Sequence, residues 1–204
     1  MTTQITARAR IKTKTLYAGD RMDSALSAFD ITRPDGLAGF LRAHALGLDT
    51  CARALRNFGP PAWMRTTRRQ RDAARFDLSA ITHLDKDAAT ALPSILLEPR
   101  STRHRSLAAL GIAYVVATIL HGTSALNTHW QRHADRDAFP DGFTPLAFAG
   151  TEWKASWNNI MSLLHETLMS DADLLVVIEA ANRTFNVFET CAIRSRDSLL
   201  ARPG

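Results

Sequence analysis

Two cysteines in 204 residues, with no Cys-x-x-Cys pair and no histidine at metal-finger spacing, leave neither a disulfide framework nor a structural zinc site to be built. Cys51 and Cys191 are far apart in the chain, so a reducing compartment is the simpler expectation. No stretch alternates apolar and polar residues long enough to make a strand, and neither an internal repeat nor a low-complexity run is present. Gly-x-Ser-x-Gly, the Walker loop and His-Glu-x-x-His are all missing, and with them the nucleophile-elbow hydrolases, the P-loop phosphate binders and the zincin proteases. The basic start MTTQITARARIKTKT leads into no apolar run. The longest apolar stretches, near residues 110–120 and 174–178, fall short of the roughly 20 residues of a membrane span. A cytoplasmic protein with no membrane partner is the expectation.

What is present reads as one folded core. Hydrophobic residues make up 46% and charged residues 22%, ordinary globular proportions, and 22.5 kDa fits a single domain. That domain is expected over residues 1–204, with its core at about 5–193 and a loosely tied tail from 194 onward. Twenty-five Lys and Arg against 20 Asp and Glu give a formal charge of +5. The balance permits an anionic partner (nucleic acid, a membrane surface, a small carboxylate or phosphate) without choosing among them.

Apolar residues return every three or four positions through most of the chain, with Gly, Pro and Asp between the periodic blocks, so an all-α fold is predicted. The first helix covers about residues 5–29, with Ile11, Thr15, Met22, Leu26 and Phe29 roughly on one face. In the turn that follows, Thr32 or Asp35 can cap and Pro34 pre-sets the next helix, 34–58, which carries Leu37, Phe40, Leu41 and Leu48. Gly59-Pro60-Pro61 stops it, because proline lacks a donor and clashes with the preceding turn. An arginine-rich helix at 62–80 carries Arg65, Arg68, Arg69, Arg71 and Arg75 and leads into a looser segment, 81–92. Without aromatic stacking partners or a recognition-helix pattern, a solvated face is the better reading of these arginines than contact with nucleic acid. The segment 105–132 is hydrophobic almost all round and belongs at the centre of the fold. A loop at 135–150 and two helices, 151–169 and 171–191, complete the chain. The acid pairs Asp85/Asp87 and Asp171/Asp173 sit at helix starts, where capping accounts for them.

Three blocks carry a resemblance. Ile11-Lys12-x-x-Thr15-x-x-x-Gly19-x-x-Met22-Asp23 is followed by Phe29-Asp30-Ile31 and Phe40-Leu41-Arg42-Ala43-His44. The second is Gly111-x-x-Tyr114-Val115-Val116-Ala117-Thr118-Ile119-Leu120-His121-Gly122; the third joins Trp153-Lys154-x-x-Trp157 to Ala181-x-x-x-Phe185-x-x-Phe188. In this order, over nearly the whole chain, they resemble the proximal, distal and closing helices of the bacterial heme oxygenase family, including the type paired with bacteriophytochromes. The resemblance implies a single-domain heme-oxygenase-like helical bundle holding a tetrapyrrole between the first two of these helices. The family's usual chemistry opens heme to biliverdin, carbon monoxide and iron with the help of a redox partner protein, and a bacteriophytochrome is a further implied partner.

The departures fall at the active positions. Where the family has its axial histidine, this chain has Gly19, which holds no atom able to bind iron; no histidine precedes His44, and Tyr17 lies about 200° round the helix. Thr118 and Ile119 stand where the family commonly has glycine and serine, and only Gly122 remains of the glycine pair, so β-branched bulk is expected toward the ligand. The implied protein binds heme, biliverdin or a related tetrapyrrole without ordinary histidine-ligated turnover, and no catalytic residue is assigned. Lys12, with Arg8, Arg10 and Lys14 nearby, would serve the propionates; Gly19, Tyr114, Thr118, Gly122 and Phe185 would surround the ring. His121, about 60° from Thr118 around the helix, is the candidate iron ligand from the opposite side and the route to an active enzyme. Other readings stay open: a histidine packed in a buried helix, an exposed basic terminus, aromatics serving as core, and a protein-interaction remnant whose pocket is closed by side chains.

Overall fold

The computed structural model describes residues 6–82, 101–148, 153–166 and 169–200. Among them the chain is all-α, with no strand. Its helices are α1 (Ala7–Leu26), α2 (Pro34–Phe58), α3 (Pro61–Ile81), α4 (Thr102–His133), α5 (Trp153–Glu166) and α6 (Asp171–Leu200), with 3-10 turns at Arg136–Ala138 and Leu146–Phe148.

Helix α1 starts where Thr6 accepts the amide of Ala9 at 3.3 Å, and it buries Ile11, Thr15, Ala18 and Met22, one stripe at helical spacing. It stops at Leu26, earlier than the apolar pattern suggests, and Phe29 joins the core from the turn instead. In that turn neither Thr32 nor Asp35 caps α2. Arg33 is the N-cap and makes no side-chain cap bond, while the amide and hydroxyl of Thr32 donate to the Asp30 carboxylate at 3.1 and 2.6 Å. The turn closes on itself before the helix begins, and Pro34, with no N–H to satisfy, makes a side-chain cap less necessary.

Helix α2 ends at Gly59 and α3 begins at Pro61, as the two prolines require. Of the segment expected to be looser, 81–92, all but residues 81 and 82 lies outside the described residues, as do the Asp85/Asp87 pair and the chain on to residue 100. Helix α4 buries nearly every side chain from Leu107 to Leu120. By length and composition it would pass for a membrane-crossing helix, and 78% of its most apolar window is buried inside the fold. Its Gly111 is a point of close approach: a Cβ there would collide with the Val177 carbonyl oxygen and lie 2.8 Å from Ala180 Cβ on α6.

Ion pairs fix the helix directions. Arg10 reaches Asp171 at 2.7 Å and Arg103 reaches Asp173 at 2.7 Å, so α1, α4 and α6 begin at the same end; Arg21–Glu189 continues the alignment along α1 and α6. Helix α2 runs the other way, with Gly39 against Leu199 and Gly47 against Phe188. Helix α6 does not stop at Cys191. It continues to Leu200 with Ala192 and Ser195 buried, because no Gly or Pro interrupts it before Pro203 and its last turns pack beside α2. The expected loose tail is therefore helical as far as residue 200, and 201–204 lie outside the described residues.

Candidate functional site

Between the C-terminal half of α1 and the later turns of α4 lies a cavity of about 690 Å³. Its apolar floor is Met22, Phe29, Ile31, Phe40 and Ile119, all buried. Its exposed rim is Asp23, Ser27 and Asp30 on the α1 side and His121, Gly122 and His129 on the α4 side. Helical spacing assembles it: Met22 and Leu26 are one turn apart, and Thr118, Gly122, Leu126 and His129 follow one stripe of α4.

Of the residues singled out from the sequence, Thr118, His121 and Gly122 line this cavity, whereas Lys12, Gly19, Tyr114 and Phe185 are not among its lining residues. The Thr118 hydroxyl donates back to the Tyr114 carbonyl at 2.9 Å, and the cavity stays open beside Thr118 and Ile119. Half-buried Gly19 sits one turn before Met22; a Cβ added there would rest 3.9 Å from the buried Phe185 ring. Tyr114 is a core residue whose ring lies 6.5 Å from Trp157, and burial raises its phenol above the usual value against the pull of the Thr118 and Thr15 hydroxyls. Lys12 is exposed, ten residues before Met22 and so about 15 Å back along the helix. His121 stacks on Trp157, centroids 5.6 Å apart and planes 16° apart, and Arg8 stands over the same indole at 5.8 Å.

Sequence reasoning passed over Asp23, Asp30, Leu26 and His129 as site residues. Met22-Asp23 and Asp30 were already inside the resembling motifs, and continuing the Thr118–Gly122 stripe by four and then three residues reaches Leu126 and His129. The electrostatics follow from these residues. Thr32, through its hydroxyl and amide, holds the Asp30 carboxyl below the usual range, while burial and neighbouring Asp20 push Asp23 above it. Among the described residues no lysine or arginine lines the cavity.

Behind the floor, the Phe40 ring stacks on His44, centroids 5.6 Å apart and planes 16° apart, with Phe188 on another side. His44 is fully buried, neither ring nitrogen has a hydrogen-bond partner among the described residues, and burial pushes its imidazole down to about 4.

The fit to heme divides. Volume and placement suit a macrocycle, since small-molecule sites run to about 300–1,000 Å³. The donor set does not suit iron held from α1, where Gly19 offers no atom, and the rim presents carboxylates where propionates call for cations. Among the described residues no three His, Cys, Asp or Glu side chains gather as a metal site. In comparisons with known proteins, the chain matches no family model and no curated sequence.

Proposed function

We propose that this chain is a binding protein for a tetrapyrrole, held between α1 and α4 without an axial nitrogen from α1 and without oxidative ring opening. The observation that carries the reading is the 690 Å³ cavity, which lies between the two helices that resemble the proximal and distal helices of heme oxygenases. Its apolar floor would take the face of a conjugated ring, and burying that ring supplies the main driving force at about 25 cal/mol per Å² of apolar surface. Gly19 supports binding without turnover, because the iron is the atom on which ring opening depends.

The second reading, a heme oxygenase with a substitute ligand, is favoured by one observation: His121 does line the cavity. Its ring is stacked on Trp157 and so held in one plane, which limits how its nitrogens can turn toward the cavity centre. A filled-pocket interaction remnant accords less well with the open cavity.

Titrating the purified chain with hemin, and separately with biliverdin, tests these readings. The expected result is a saturable spectral change that survives His121→Ala, with no biliverdin formed from hemin under reductant. A saturable Soret shift lost in His121→Ala, together with reductant-dependent biliverdin, would replace the binding protein with the enzyme.

A further inference from the structure

The mouth of the cavity carries charge of one sign. Asp23 and Asp30 line it, and among the described residues no lysine or arginine does and the Asp23 carboxylate, acted on by burial and by Asp20, has neither a hydrogen bond nor an ion pair. Asp30 keeps its charge because Thr32 donates to it twice. The groups able to offset the two acids are the His121 and His129 imidazoles in the cavity wall and Arg33 beside Asp30. The neighbouring acid Asp20 acts in the opposite sense, adding negative potential at Asp23.

The backbone reinforces that sign. Leu26, the last residue of α1, is a cavity residue, and the α4 stripe reaches His129, within the last turns of a helix that ends at His133. The C-terminus of α1 therefore borders this space and carries about half a negative charge in its unsatisfied carbonyls, while α4 passes alongside and ends one turn beyond His129. The chain as a whole is +5, so long-range attraction would favour an anion, and a preference for a cation can arise only at the mouth itself.

We infer that Asp23 and Asp30 make the mouth a charge selector, admitting a ring whose peripheral groups are uncharged or cationic and disfavouring one that carries carboxylates. This rests on the tetrapyrrole reading and narrows it. A dianionic ring would place its carboxylates against Asp23 and Asp30, where like charges at contact repel and the apolar floor weakens screening. A ring with ammonium groups would give Asp23 the partner it lacks.

The test compares two metal-free protoporphyrins that share one macrocycle, the dicarboxylate and a bis-amide bearing two dimethylaminoethyl groups. Both are titrated by fluorescence into the full chain at pH 8 and low salt, where an ordinary imidazole is neutral. The ammonium form is expected to bind at least about tenfold tighter, and 0.5 M salt should shrink the ratio. Asp23→Asn with Asp30→Asn should bring the two forms within about twofold, mainly by raising affinity for the dicarboxylate. If the Asp30 change unsettles the turn, judged by circular dichroism and the unfolding midpoint, Asp23→Asn alone should still reduce the ratio by about threefold. Equal or tighter binding of the dicarboxylate by the unaltered chain, or a ratio unmoved by Asp23→Asn, overturns the selector and leaves the tetrapyrrole reading standing. Binding of neither ring overturns both.

Discussion

His44 is the residue on which pH acts most directly. Its imidazole is buried neutral between Phe40 and Phe188, at about 4 when folded against about 6.5 when exposed. The unfolded chain therefore binds the extra proton between those values, and stability falls as pH drops from about 6.5 toward 4. At about 1.4 kcal/mol per pH unit the loss across that window is about 3 kcal/mol. His44→Leu removes the titrating group and two unpartnered buried nitrogens together. Urea unfolding should show the variant no less stable at pH 7, with a flatter stability profile from pH 6.5 to 4 than the parent. A parallel profile in the two proteins would mean that His44 takes its proton while folded. The sequence places His44 at the end of a resembling block but does not show its buried state, because a histidine at a helical core position looks the same whether or not its nitrogens find partners.

Helices meet where their smallest residues allow it, and two glycines show opposite limits. A Cβ at Gly111 would run into the Val177 carbonyl and Ala180, pushing α4 away from α6, whereas a Cβ at Gly19 would meet only the Phe185 ring at 3.9 Å. Gly111→Ala should lower stability by roughly 1–3 kcal/mol, and Gly19→Ala should raise it by up to about 1 kcal/mol through helix propensity. Denaturant midpoints of the two variants should move in opposite directions. Helix existence and order were readable from periodicity, and α2 has both ends where Pro34 and Gly59 set them. The ends of α1 and α6 were not: Phe29 continues the apolar pattern from a non-helical turn, and the stretch after Cys191 carries no stop signal that packing could be seen to override. The site was half readable. Thr118 and Gly122 lie on one stripe of α4 that lines the cavity, with His121 beside it at the rim, while the basic residues expected to meet propionates stand too far back along α1 to line the cavity.

For the molecule as a whole, ligand in the cavity should couple to folding, since α1, α2, α4 and the turn after α1 all contribute walls. A ring that binds only the folded chain stabilises it by about 2.7 kcal/mol at a hundredfold excess over its Kd. Thermal unfolding with increasing porphyrin should show a midpoint that climbs with ligand concentration, and an unmoved midpoint at saturating ligand would place the ring elsewhere, on surface shared with the unfolded chain.

The common starting end of α1, α4 and α6 bears on how the chain is made as well as how it stands. The ion-pair partners of Arg10 and Arg21 come 161 and 168 residues later. During synthesis the first helix emerges from the ribosome long before α6, the helix it packs against most, exists. Such distant pairings slow folding and lengthen exposure to aggregation, so this bundle completes itself only once α6 has been made.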